Sequence, residues 1–262
     1  AVLPLAFASG TVQNFLIFTL IVAIAAQGWN VLGGYGGQFS FGHASFFGTG
    51  AYAMAILQAR AGLNPWLALP VAIALGALVG SAIGTLAFRA RLRGSYFALV
   101  TLAFAEVLRI VANVLPVTGG AAGTLIRLDV HPLNFQFADR ARFYWVALVF
   151  LGAVMALIRA LERGRFGARL VAVRENEDAA RALGVDALRV KIAAITLSAA
   201  ITAVAGCLYA QNFLYLDATI AYGPWISIEA LLAPIIGGLG TVFGPLIGAI
   251  VLHGFGEVTK VW

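Results

Sequence analysis

Apolar residues dominate 15–33, and after a break at Gly33, Gly34, Gly36 and Gly37 a second run, rich in small side chains, covers 42–59. Longer runs follow at 66–88, 95–115, 143–161 and 192–210, then two shorter ones at 226–240 and 242–257 with a glycine-rich break between them. A helix needs about 20 apolar residues to cross a bilayer, so the last two runs read as two short helices or one re-entrant pair. Inside lipid, backbone polar groups have to bond within their own segment, so the runs are predicted to be helices. None shows the strict alternation of a membrane barrel strand. The expected fold is all-α, a polytopic transmembrane helix bundle of about seven or eight spans, counting short or broken helices.

The charges set the expected orientation. The first charged side chain is Arg60. Arg89, Arg91 and Arg93 follow the third run, and Arg159, Arg163, Arg165, Arg169, Arg174, Arg181, Arg189 and Lys191 lie between the fifth and sixth. Two runs separate these clusters, so both are expected on one side, the cytoplasmic one. The segment 116–142, with Asp129, His131 and Asp139, is then expected outside. The first 30 residues do not read as a cleaved signal peptide, since they lack a basic start and run directly into the glycine-rich segment. Ala1 is no initiator Met and Trp262 directly follows an apolar run, so trimming is expected at both ends.

Composition narrows the class. Of 262 residues, 61% are hydrophobic and only 11% charged, with a mean hydropathy of +0.94. A soluble domain carries about 25% charged residues, so most of this surface is expected to face lipid. The formal charge is +6, but no basic, aromatic-interleaved patch suggests nucleic acid. Cys207 is the only cysteine, which excludes an internal disulfide and a cysteine metal cluster. The isolated His131 and His253 suggest no metal site either.

The basic segment 162–191 is the most informative stretch. Asn176 is a candidate cap, with Glu177 and Asp178 in the first turn, where the helix dipole favours acids. Arg181 falls near the last turn, and Gly184 suits the left-handed residue past the end. Ala179, Ala182 and Leu183 share one face. A short helix spanning about Glu175 to Gly184, with a shallow apolar face between two spans, suits insertion into a partner's groove. The plainer reading is a solvated loop whose arginines only set topology.

Inside the membrane, the break near Gly36 and Gly37 exposes backbone groups, which are tolerated only within protein or along a water-filled path. Ser40 and His43 flank it, and all four are candidates for the translocation path; tight packing with local hydrogen bonds is the alternative. Gly237, Gly238, Gly240 and Gly244 echo the first break. Glu106 and Arg109 are three residues apart in the fourth run and share a helix face. Unpaired charges at that depth are costly, so both are expected to face the bundle interior or water, either as a structural ion pair or lining the path. Glu229 is a similar candidate, or a solvated boundary acid.

The segment Glu162 to Lys191 resembles the cytoplasmic coupling loop of LivM-type permease subunits of the branched-chain amino acid ABC importer family. Three further stretches are similar to that family: Gly33 to Leu57 (GGYGGQFSFGHASFFGTGAYAMAIL), Arg93 to Val111 (RGSYFALVTLAFAEVLRIV) and Ile236 to Ala249 (IGGLGTVFGPLIGA). The resemblance covers about 14–257 in the family's order and spacing. Family members usually continue for another hydrophobic stretch beyond the position of Trp262, which leaves the total span count open.

The resemblance implies a single permease domain over 1–262, with a coupling loop at about 162–190. It implies a homologous permease as heterodimer partner, two ABC ATPase subunits, an extracytoplasmic substrate-binding protein, and multi-pass insertion in a bacterial or archaeal cytoplasmic membrane. Glu175, Asn176, Glu177, Asp178, Ala179, Arg181, Leu183 and Gly184 would contact an ATPase. No G-x-x-x-x-G-K-[ST] motif is present and the only lysines are Lys191 and Lys260, so no cofactor is expected on this chain, and ATP and Mg belong to the partner ATPases. The expected substrate is a branched-chain amino acid, with urea, short amides or aromatic acids as alternatives within the family. A stand-alone secondary transporter using Glu106 as a proton site is an alternative of another class. An integral membrane enzyme is disfavoured, because no nucleophile–base pair or metal-ligand cluster stands at a fixed spacing.

Overall fold

A computed structural model describes residues 10–260. The chain forms α1 (Gly10–Asn30), α2 (His43–Ala59), α3 (Pro65–Arg89), α4 (Gly94–Val114), α5 (Arg140–Arg163), α6 (Arg165–Glu175), α7 (Glu177–Ala182), α8 (Ala187–Phe213), α9 (Ala218–Tyr222), α10 (Pro224–Gly237) and α11 (Gly244–Lys260). A two-residue pair, β1 (Thr124–Leu125) and β2 (Tyr215–Leu216), is antiparallel. The polytopic helical bundle expected from the apolar runs is present.

Among the described residues, six segments are long and apolar enough to cross a membrane: Val12–Tyr35, Pro65–Arg89, Gly94–Val114, Arg140–Arg163, Ala187–Phe213 and Ala218–Gly237; Gly244–Gly256 is a shorter apolar helix. The run read as a second span, 42–59, becomes α2, which at 17 residues is not among the six. At 1.5 Å per residue it is about 25 Å long, a little short of the hydrocarbon layer. Its apolar face is turned into the protein: Phe46, Phe47, Ala51, Met54 and Ala55 are fully buried. The seventh run is a broken span, α9 and α10 meeting at Gly223, and α11 returns beside α10.

α1 and α8 form the centre, with 83% and 72% of their apolar windows buried, against 28% for α4. Between helices there is no hydrophobic driving force in lipid, so close backbone approach has to hold them together. Gly76, Gly80 and Gly84 on α3, spaced by four, face Ala203, Ala199 and Ile195 of α8, and a Cβ on any of the three would collide with those side chains.

The loops sort to two ends. At one, Arg140 donates to the Gly10 carbonyl (3.1 Å), Asn64 to that of Leu133 (2.9 Å) and Trp66 to that of Pro132 (3.0 Å). Asn64 also caps α3, accepting from the Trp66 amide at 2.9 Å, with Pro65 in the first turn where its missing N–H costs nothing. At the other end, Arg93 and Glu177 lie 3.4 Å apart, so both arginine-rich segments share that side, as the charge pattern predicts.

Candidate functional site

The basic end is built around a bend. α6 stands where the sequence pattern predicts only loop before the cap: Gly167, Leu170 and Val173 lie on its inner side and are buried. α6 stops at Asn176, whose backbone is extended (φ −153°, ψ 102°). The Asn176 side chain then accepts from the Ala179 amide at 3.0 Å and starts α7, as the capping pattern predicts. At its far end Gly184 adopts φ +85°, and the Gly184 and Val185 amides donate to the Arg181 and Ala180 carbonyls. The short helix is thus Glu177–Ala182, with Glu175 belonging to α6.

Glu177 anchors this helix to the bundle. Its Oε2 accepts from Lys191 Nζ at 2.7 Å and lies 3.4 Å from Arg93, while Oε1 accepts from Arg181 at 2.5 Å. Burial pushes the Glu177 carboxyl up, but the Lys191 hydrogen bond and the charges of Lys191, Arg181 and Arg93 outweigh it and hold the group below the usual carboxylate range. Ala180 is buried against the bundle, whereas Ala179, Ala182 and Leu183 all face out, Leu183 with 87% of its surface exposed. Asp178 is exposed beside them. The outward apolar face is therefore fixed in place and uncovered.

The two glycine-rich breaks meet at this same end. α1 finishes in a π-helical turn, Val31–Tyr35, and Gly37 follows at φ +64°. A Cβ on Gly37 would strike the Arg174 side chain of α6, whose Nη1 donates to the Gly34 carbonyl at 2.8 Å. Asn30 accepts from the Gly240 amide (2.9 Å) and donates to the Thr241 carbonyl (2.9 Å), and Gln27 donates to the Val242 carbonyl (2.6 Å). Two polar side chains of α1 thus satisfy the backbone freed at the second break.

Ser40 and His43 are buried beside the first break. The Ser40 hydroxyl accepts from the Gly42 amide at 3.1 Å, and its carbonyl accepts from Trp29 Nε1 at 2.8 Å. Ser198 donates its proton to the Gly28 carbonyl (2.7 Å), so it accepts from His43 Nε2 (2.8 Å). Local bonds therefore hold Ser40 and one nitrogen of His43, while His43 Nδ1 is buried without a hydrogen-bond partner among the described residues. What the break presents outward is Phe39 and Phe41, which with Ser95, Ala98 and Leu99 of α4 line an apolar groove of about 370 Å³. The sequence offered no polar signal for this groove.

Glu106 and Arg109 do pair, through bonds from Arg109 Nε to both carboxylate oxygens at 3.1 and 3.0 Å. The expectation that they face the interior of this bundle is not met. Glu106 is 48% and Arg109 31% exposed, on the face of α4 that no other helix covers among the described residues. Only a narrow strip, Phe97, Ala98, Thr101, Ala105 and Ala112, packs inward. The neighbours that would decide orientation are not legible from a three-residue spacing.

His253, isolated in the sequence, meets Glu229. His253 Nε2 and Glu229 Oε2 stand 3.7 Å apart, and Phe18 stacks on the imidazole at a centroid distance of 5.1 Å. The pair borders a cavity of about 400 Å³ walled by Phe15, Phe18, Leu232 and Leu252. Glu229 is thus a partly buried acid that faces His253 without a hydrogen bond to it.

With this geometry in hand, the comparisons with known proteins are specific. Residues 11–262 match the family described as branched-chain amino acid transport system / permease component. The chain is 33% identical to the high-affinity branched-chain amino acid transport system permease protein LivM of Escherichia coli K12, over 95% of this chain and 63% of that protein. It is 29% identical to a probable branched-chain amino acid transport permease protein LivH of Methanocaldococcus jannaschii, over 81% of this chain and 69% of the relative. The ribose import permease protein RbsC of Escherichia coli K12 is 26% identical over 78% of this chain and 63% of its own length. The chain thus spans somewhat under two thirds of the length of the LivM protein it matches.

Proposed function

The chain belongs to the branched-chain amino acid transport system permease family, and from that premise we propose that it forms half of the translocation path of an ATP-driven importer for branched-chain amino acids. A homologous permease completes the path, two ABC ATPases holding ATP and Mg dock below, and an extracytoplasmic binding protein delivers substrate above, all in a bacterial or archaeal cytoplasmic membrane. The observation that carries this reading is α7: a short helix tied down by Glu177 that holds Leu183 87% exposed, next to two alanines, on the arginine-rich side. An apolar face held outward on a rigid mount suits insertion into a partner's groove. The outward Glu106–Arg109 pair supports the other half of the reading. A charge pair is tolerated at that depth when it faces a wet path or a second subunit, not acyl chains.

Co-reconstitution tests the proposal. Labelled leucine should enter proteoliposomes only when both permeases, the ATPases, the receptor and ATP are present. Uptake by the permeases alone, driven by a proton gradient, would overturn the ATP-driven reading in favour of secondary transport. Preference for urea, a short amide or an aromatic acid over leucine would reassign the substrate within the same machine.

A further inference from the structure

A pocket of about 320 Å³ opens where α3 ends and α8 begins, on the arginine-rich side of the bundle. Arg89, Arg91, Arg93, Arg181 and Lys191 line it, with Glu177 as the single acid. Both carboxylate oxygens of Glu177 are occupied, by Lys191 and Arg93 on one side and Arg181 on the other. Arg89 and Arg91 are left over: neither has an ion pair or a side-chain hydrogen bond among the described residues. Arg91 is held in the left-handed region at φ +56°, its amide bonded to the Phe88 carbonyl (3.1 Å) and that of Leu92 to the Ala87 carbonyl (3.1 Å). An arginine in that conformation is uncommon, and here Arg91 lines the pocket.

The surface next to the pocket is apolar. Leu75, Leu78, Leu86 and Arg89 lie on one side of α3 at helical spacing, and the three leucines are 40%, 64% and 61% exposed. Tyr96 and Leu99, at the start of α4, are exposed as well. A stripe of uncovered apolar side chains therefore runs from unneutralised arginines along a membrane-spanning helix. An acidic protein segment or a free anion would use the arginines and ignore the stripe; a lipid uses both.

We propose that this pocket binds the phosphate-bearing headgroup of an anionic membrane lipid, with its acyl chains lying along Leu86 and Leu78. Basic pockets at the cytoplasmic ends of spans have the charge and depth that such headgroups require.

The test uses the purified full chain in phosphatidylcholine nanodiscs and follows thermal unfolding during titration with dioctanoyl phosphatidylglycerol, dioctanoyl phosphatidylcholine or inorganic phosphate. The expected result is stabilisation by the phosphatidylglycerol alone. Arg89→Gln with Arg91→Gln should raise its half-saturating concentration about thirtyfold, and Arg89→Lys with Arg91→Lys should restore it. Native mass spectrometry of the wild-type chain, which does not depend on a variant folding, should retain phosphatidylglycerol in preference to phosphatidylcholine. An equal response to inorganic phosphate would reassign the site to a soluble anion and overturn the lipid. Equal responses of the wild type and the double glutamine variant would overturn the site itself. Loss of ATPase binding in that variant with the lipid response unchanged would likewise overturn it in favour of a protein partner.

Discussion

His253 Nε2 and Glu229 Oε2 face each other across 3.7 Å, both buried and neither with a hydrogen-bond partner among the described residues. Thr19 donates its hydroxyl proton to the Phe15 carbonyl (2.9 Å), so it accepts from His253 Nδ1 (3.0 Å). The other imidazole nitrogen is then a bare lone pair pointing at a carboxylate. Glu229→Gln offers an amide donor to that lone pair and should keep the melting temperature. Glu229→Leu supplies no donor to that lone pair and should be less stable than Glu229→Gln by about 1–3 kcal/mol. Equal melting of wild type and both variants would show that the contact contributes nothing.

Replacing Leu183 by Asp together with Asp178→Arg should leave expression and stability within about 1 kcal/mol of wild type, because both side chains are exposed and only the first-turn charge of α7 is lost. The same variant should lose ATPase co-purification and ATP-dependent uptake. Retention of both would remove α7 from the coupling interface.

Glu106→Gln leaves Arg109 without its partner, whereas Glu106→Gln with Arg109→Gln removes both charges. If the outward pair is structural, the single change should lower assembly with the partner permease more than the double change does. A path role is read instead if both variants assemble normally and both fail to transport. Wild-type assembly and uptake in both would show that the pair serves neither purpose.

Glu177 supplies a pH dependence with a definite sign. Its carboxyl is held below the usual range in the folded state, so its contribution is complete at neutral pH, starts to fall as the pH drops into the ordinary carboxylate range and is gone once the pH passes below the depressed value. Glu177→Gln should melt lower than wild type at neutral pH, and the gap should close in acid. A gap that stays constant with pH would assign the effect to packing.

Cysteine labelling checks the orientation. Cys207 is fully buried, its thiol against the Gly50 carbonyl, so it gives little background even before Cys207→Ala. Leu128 is 69% exposed in the segment at the other end from α7, and Leu128→Cys should react with a membrane-impermeant maleimide added from outside. Reaction only from the cytoplasmic side would invert the bundle.

Where local chemistry decides a feature, the sequence was a sufficient guide. Asn176, the acids after it and Gly184 form one helix within nine residues, and each does what its position suggests. The apolar runs likewise became helices, because lipid leaves the backbone no other way to bond. Features that depend on distant partners were not legible. Gln27 and Asn30 meet the second glycine break more than 200 residues away. The outward turn of Glu106 and Arg109 depends on which helices flank α4. α6 is not legible in the sequence because its inner side is marked by only a glycine, a leucine and a valine, amid three arginines.

Arg174 links α6 to the end of α1, its stem filling the notch that Gly37 leaves and its guanidinium hooked to the Gly34 carbonyl. Mechanically this is a crank. A partner that pushed on α7, as the proposed coupling requires, would turn it about the joint at Asn176, with Arg174 the pin to the first break. Asn30 and Gln27 tie that region to the loop at 238–243, so the same load would reach the hairpin of α10 and α11. Those two loops are where the spans have no continuous backbone ladder to resist bending, and hinge motion would be taken up there before the α3–α8 glycine seam.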